Sequence, residues 1–212
     1  MKGVIFDFWG TLVENAVRPS PVRQVRYLMR LDVPFSEYIV KFEEAFMTQD
    51  FEDLYEAFTN VCKAFDVKPE PELLDKLVGM WNKNDMLCKP FPEMDLVLEE
   101  LKEKGFKIGL LSNTPNSIKR VLEKFDMERY FDAIILSCDC GVLKTNPKMF
   151  EIALKDMGLK KDDVVHVGDA METDVKGAES AGIKPILLDR RNRRDYENKI
   201  LTLEEVFEYL EK

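Results

Sequence analysis

Val4-Ile5-Phe6-Asp7-Phe8-Trp9-Gly10-Thr11-Leu12 is a hydrophobic run that ends in a carboxylate and meets a glycine turn. A buried strand delivers a reactive group to the open edge of a sheet in this way. Working outward from it, strand and helix patterns alternate over the second half of the chain. Phe106–Leu111 reads as a buried strand, and Ile118, Val121, Leu122 and Phe125 follow at helical spacing. Ala133–Leu136, Val164–Val167 and Pro185–Leu188 read as further strands. Between them, one helix carries Phe150, Ile152, Ala153 and Met157 and stops at Gly158, and another runs through Val175 and Ala178 to Gly182. Thr202-Leu203-Glu204-Glu205 has the form of a capping box opening the last helix. Apolar strands alternating with amphipathic helices predict an α/β protein: a three-layer, Rossmann-like parallel sheet with helices on both faces.

The interval 16–90 differs, because it reads as helices without strands. Ile39, Phe42 and Phe46 form one helical stripe, Leu54, Phe58, Val61 and Phe65 a second, and Leu73, Leu77 and Trp81 a third. Pro19 and Pro21 mark the way in, Pro90 and Pro92 the way out. This predicts an all-helical cap over 16–90, inserted into a core made of 1–15 and 91–212, with the stripes forming the cap's own interior.

Composition narrows the function. The 212 residues carry a formal net charge of −9, with 33% charged and 45% hydrophobic residues, which suits a globular protein and argues against nucleic acid as a partner. Arg190-Arg191-Asn192-Arg193-Arg194 is the one basic cluster, and its expected role is a solvated loop. No apolar run approaches the ~18 residues of a membrane span, and Met1-Lys2 leads straight into the first strand without a signal peptide. Cys62, Cys88, Cys138 and Cys140 form no metal-binding pair pattern. A cytoplasmic protein with reduced thiols is expected, either monomer or homodimer.

Open parallel sheets bind ligands at the carboxyl ends of their strands. Asp7 closes the first strand. Ser112-Asn113-Thr114-Pro115 closes the second and opens a helix, with Pro115 suited to a first helical position. Lys144 precedes the next helix within Lys144-Thr145-Asn146-Pro147, and Gly168-Asp169, with Asp174 beyond, follows Val164–Val167. These groups make chemical sense together. Asp7 is an oxygen nucleophile, and Ser112 or Thr114 can hold phosphate oxygens. Lys144 offsets developing negative charge. Carboxylates without a histidine or thiol partner suit a hard cation such as Mg²⁺. His166 is expected to be a core histidine.

In this order, the segments Asp7-Phe8-Trp9-Gly10-Thr11, Ser112-Asn113, Lys144, and Gly168-Asp169 with Asp174 resemble the four motifs of the haloacid dehalogenase superfamily. The inserted helices resemble the cap of its haloacid dehalogenase and phosphoglycolate phosphatase-like branch. The resemblance implies a hydrolase that forms an aspartyl-enzyme intermediate on Asp7. Ser112, Asn113, Thr114, Lys144, Gly10 and Thr11 would lie around a small phosphorylated substrate. Mg²⁺ would be held by Asp7, the Trp9 backbone carbonyl, Asp169 and Asp174.

The family's phosphatases carry a second aspartate where this chain has Trp9. An indole cannot shuttle protons near neutral pH, so the expectation is a slow phosphatase, or one that favours good leaving groups. The family's 2-haloacid dehalogenases, which need no metal, place an aromatic residue, usually Tyr, at the position of Trp9. The acids Asp169 and Asp174 favour the phosphatase over that alternative. An attenuated protein that binds a phosphorylated ligand without turnover is a third reading. Glu14 is near enough in sequence to be considered as a substitute acid, and Arg18, Arg23 and Arg26 as contacts for a substrate anion, though solvent exposure is the expected state of these arginines.

Overall fold

The structure, a computed structural model, describes residues 1–210. Six parallel strands form the main sheet: β1 (Gly3–Phe6), β4 (Lys107–Ser112), β5 (Ala133–Leu136), β6 (Val164–Gly168), β7 (Lys184–Leu188) and β8 (Lys199–Ile200), in the order β5-β4-β1-β6-β7-β8. β1 is therefore central, with β4 and β6 as neighbours. The chain leaves β1 in one direction across the sheet and later returns to continue in the other. Such a reversal opens a crevice at the carboxyl ends.

Pleat alternation assigns the faces. Val4, Phe6 and Phe8 join an apolar cluster with Leu98 and Leu101 of α5 (Met94–Glu103) and Val121 and Leu122 of α6 (Ile118–Lys124). Ile5 points the other way, into a cluster with Phe150, Ala153 and Met157 of α8 (Pro147–Met157) and Ala178 of α9 (Lys176–Ser180). The same parity puts Asp7 on the Ile5 side. Helices cover both faces, as the alternating pattern predicts.

Four helices stand between the first strand and the rest: α1 (Pro21–Leu28), α2 (Phe35–Met47), α3 (Leu54–Ala64) and α4 (Pro71–Leu87). Their stripes meet in a separate cluster containing Phe42, Phe46, Phe58, Val61, Leu77 and Trp81. Phe46 and Trp81 pack edge to face with centroids 4.6 Å apart, and Phe46 lies 4.6 Å from Phe58. Where the chain passes into and out of these helices, β2 (Val13–Glu14) pairs antiparallel with β3 (Lys89–Pro90). Asn84 Oδ1 reinforces that junction by accepting from the backbone N–H of Ala16 at 2.9 Å. The four cysteines are free thiols. Among the described residues, no helix is long and apolar enough to cross a membrane.

Several local expectations need correction. α6 starts at Ile118, and Pro115 lies in the turn before it, where its carbonyl accepts from Ile118 N at 3.3 Å. Thr202 makes no side-chain bond to a backbone N–H. Glu205 reaches Leu201 N instead, and the last segment opens as a 3₁₀ turn (Leu203–Val206) before α10 (Phe207–Leu210). The short α7 (Ser137–Cys140), closed by Gly141 at φ +72°, had no apolar periodicity to announce it.

Asp85 near the end of α4 is buried, and Arg120 is 3.8 Å away. Burial pushes its pKa up to about 6. The folded state holds this proton more tightly than the unfolded chain. The group's contribution is therefore complete below the usual aspartate range and is lost as pH rises through about 6. Asp85→Asn should match the parent in urea unfolding near pH 4 and exceed it by about 1–2 kcal/mol at pH 8.

Candidate active site

Asp7 follows β1, its N–H donating to Val167 O of β6 at 2.9 Å. The chain then turns tightly. Leu12 N and Val13 N both donate to Phe8 O, and Gly10 N donates to Val13 O at 2.8 Å. Gly10 adopts φ +85°, and a Cβ there would sit 2.5 Å from Asp169 Oδ2, so only glycine lets the turn approach the next carboxylate. Thr11 Oγ1 donates to Asp7 Oδ2 at 3.1 Å and fixes the carboxylate's rotation.

Asp169 follows β6, and Asp174 sits in a π-helical turn (Met171–Val175) that folds back under Gly168. A Cβ on Gly168 would lie 2.2 Å from Asp174 Cγ, so this approach also depends on glycine. One oxygen from each of Asp7, Asp169 and Asp174 fits within 4.8 Å of the others. Lys144 is fully buried and donates from Nζ to Asp7 Oδ1 and, at 2.6 Å, to Asp174 Oδ1.

One ammonium faces three acids, and the charges are unevenly satisfied. Burial works to raise Asp174, but Lys144 and His166 outweigh it and hold it well below the usual range. Ala170 N–H adds a further bond to Asp174 Oδ2 at 2.9 Å. Asp7 is raised by burial despite Lys144, with Asp174 adding to the rise. Asp169 is pushed up to about 8 by burial and by the like charges of Asp7 and Asp174. Burial opposes the charge on Lys144, yet Asp174 and Asp7 overcome it and raise the ammonium's pKa. A site short of positive charge, built from hard oxygen donors, fits a divalent cation such as Mg²⁺.

His166 is buried in β6, edge-on to Phe150, and its Nε2 lies 3.2 Å from Asp174 Oδ1. Asp174 is ionised and can only accept, so Nε2 carries the proton and donates. The expected core histidine thus also braces an acid of the site.

The serine and threonine of the second segment diverge. Ser112, at the end of β4, is buried with no partner for its hydroxyl, an orphaned group beside the Asp7 turn. Thr114 is tied into the backbone beside α7: its N–H donates to Ser137 Oγ at 2.9 Å, and its hydroxyl faces Pro115 O. Neither Thr114 nor Ser112 lines the cavity. Asn113 Oδ1 accepts from Lys144 N at 2.9 Å, which turns its Nδ2 toward Glu43 Oε2, also at 2.9 Å.

A cavity of about 510 Å³ lies between the strand ends and the helices. Asp7, Trp9, Asn113, Lys144, Asp169 and Asp174 line it from the sheet, and Ile39, Glu43, Met47 and Trp81 from the helices. Trp9 packs edge-on to Phe8 at 5.0 Å and forms part of the wall. Glu14 is exposed and paired with Arg18, so it is not the substitute acid considered from sequence. Sequence reading missed Glu43, although a carboxylate at that place in the Ile39-Phe42-Phe46 stripe was the available signal. Arg26 is half-buried and bonded to Val33 O, away from the cavity.

The arginine cluster is a solvent-exposed loop from Arg191 to Arg194, as expected, with Arg190 half-buried. Arg190, Arg191, Arg193 and Arg194 line an adjoining cleft with Arg18, Arg23 and Gly10. Asp189 shapes their loop by accepting from the N–H groups of Arg193 and Arg194. Arg18 is paired with Glu14 and Arg190 with Glu93, while Arg191, Arg193 and Arg194 stand exposed at the rim of the cleft.

The chain belongs to the haloacid dehalogenase-like hydrolase family, whose sequence profile matches residues 1–182. It is an enzyme of that hydrolase class with the α/β fold of the family. It is 26% identical over 205 residues to a glyceraldehyde 3-phosphate phosphatase of Methanopyrus kandleri, covering 93% of this chain and 88% of the relative. Among solved structures, a HAD phosphatase from Thermococcus onnurineus matches 99% of this chain and 98% of its own, at 26% identity and a TM-score of 0.67. A 2-haloacid dehalogenase from Pseudomonas syringae shares the fold at 23% identity, with a TM-score of 0.66 and coverage of 100% and 98%.

Proposed function

We propose that this protein is a Mg²⁺-dependent phosphatase of small phosphorylated molecules that works through an aspartyl-phosphate on Asp7. The observation that carries this reading is the meeting of Asp7, Asp169 and Asp174 within 4.8 Å. A metal-independent dehalogenase has no evident use for so many acids. The similarity to named phosphatases points the same way.

Asp7, Asp169, Asp174 and the Trp9 carbonyl would hold the ion. When bound, Mg²⁺ offsets the charge of phosphate and carboxylates so that one anion can attack another. Thr11 aims Asp7 at phosphorus. Asn113 and Lys144 hold the phosphoryl oxygens, with Gly10 giving close backbone approach. The four-helix unit, residues 16–90, acts as the cap that shields the reaction from water. The free thiols fit a cytoplasmic setting.

Trp9 removes the usual proton carrier beside the nucleophile. Aryl and acyl phosphates, whose leaving groups depart without help, are the favoured substrates. Trp9→Asp should raise turnover of a simple alkyl phosphate by about 10-fold, and less on p-nitrophenyl phosphate. An unchanged or lower rate in a folded variant would count against this account.

The aromatic wall at Trp9 is the observation that favours a dehalogenase instead. Phosphate release from aryl and alkyl phosphates, run beside chloride release from 2-chloropropionate in EDTA, separates the two. Chloride release with no phosphate release would reverse the order. Stoichiometric phosphate binding without turnover on a broad panel would support the third reading, a phospho-ligand binding protein.

A further inference from the structure

We propose that Glu43, carried into the cavity by α2, is the proton donor and acceptor that stands in for the missing aspartate. The inference rests on the phosphatase reading and names how that site handles protons.

Three geometric observations support it. Glu43 lines the same cavity as Asp7, Lys144 and Trp9, facing the strand ends from the cap side. Its carboxylate is held in place by Asn113, which cannot turn away because its other end accepts from Lys144 N. The helix that carries it is anchored on both sides of Glu43 by Phe42 and Phe46, each fully buried in the helical cluster. The cavity's other acids are already committed. Asp7 and Asp174 are bound to Lys144, Asp169 belongs with them in the three-carboxylate group, and Glu172 is exposed and paired with Lys176.

Glu43 also has the right acidity. Burial raises it to about 7, with Asn113 and Lys144 opposing and Asp174 and Asp7 reinforcing the rise. Those are the charged groups facing it from the sheet, and Arg23 and Arg194 also line the cavity. A group titrating near the working pH can both give and take a proton.

The two half-reactions balance. As an Asp7 oxygen bonds to phosphorus, the ester P–O bond breaks with its electron pair on the leaving oxygen, and the Glu43 proton neutralises that oxygen. A water oxygen then bonds to phosphorus while the Glu43 carboxylate takes the water's proton. The Asp7–phosphorus link breaks, inorganic phosphate leaves, and Glu43 is protonated again.

The test compares the parent, Glu43→Gln, and Glu43→Gln combined with Trp9→Asp, each assayed with Mg²⁺ on p-nitrophenyl phosphate and on a simple alkyl phosphate across pH 5–9. Glu43→Gln keeps the size and the bond to Asn113, so it preserves the packing. It should lose about 10²-fold on the alkyl substrate and only a few-fold on the aryl one, with the pH inflection near 7 abolished. Adding Trp9→Asp should raise the alkyl activity of Glu43→Gln well beyond the about 10-fold gain expected in the parent, whereas a merely structural role for Glu43 would give the same gain in both backgrounds. An equal loss on both substrates with an unchanged pH profile, or the same gain from Trp9→Asp in both backgrounds, would overturn the assignment while leaving the phosphatase reading intact. No phosphate release by the parent from either substrate would overturn both.

Discussion

Asp7→Asn is expected to lower p-nitrophenyl phosphate turnover by at least about 10³-fold while leaving the protein folded. The amide cannot form the covalent link to phosphorus, so the reaction loses its first step. The fold should tolerate the change for an electrostatic reason. Lys144 is shared between Asp7 and Asp174, while Asp169 is raised by both of these acids. Removing one negative charge from this group relieves repulsion in the metal-free protein. The Asn oxygen can still accept from Thr11 Oγ1, as Asp7 Oδ2 does at 3.1 Å. Circular dichroism and urea unfolding should therefore match the parent or show a slight gain. Retained turnover in the variant would remove Asp7 from the role of nucleophile.

Lys144→Met should act on both stability and rate. The ammonium is buried and lies between Asp7 and Asp174, so its loss strands two carboxylates next to a third. Breaking a buried pair from one side typically costs about 3–5 kcal/mol. That deficit should appear in urea unfolding at pH 8 in EDTA. It should shrink toward pH 5, because Asp169 and Asp7 are already raised and protonating them removes the repulsion that Lys144 had offset. Turnover should fall by about 10²–10³-fold even where the variant is folded, since among the described residues Lys144 is the cation paired directly with Asp7. A deficit below about 1 kcal/mol that ignores pH would mean the three acids are screened by something other than Lys144.

How much of this was legible in the sequence depended on the range of the interactions involved. The five long strands of the sheet announce themselves because each is an apolar run buried on both faces. Asp7, Lys144, Asp169 and Asp174 stand at positions that only a carboxyl-edge site explains. Their mutual distances were not legible, because Asp7 and Lys144 are 137 residues apart and meet only through the register of β1 with β4 and β6. The two-residue strands β2 and β3 owe their conformation to each other across the inserted helices, so no local pattern marks them. Glu43 was hidden by the same logic. In a helical stripe it looks like a charged residue beside a core, and only the placement of α2 over the strand ends makes it part of a cavity. Thr114 shows the opposite failure. Its neighbours suggest a phosphate contact, but Ser137 of the unannounced α7 takes its N–H. The arginine loop likewise depends on Asp189, whose carboxylate turns the loop toward the Gly10 side.

The most direct test of the central claim is p-nitrophenyl phosphate hydrolysis by the parent protein in Mg²⁺ and again in EDTA, with Asp7→Asn measured alongside. The account predicts turnover in Mg²⁺ that is lost on chelation, restored when the ion is returned, and absent from the variant. Equal turnover in EDTA, or turnover that survives Asp7→Asn, would contradict it.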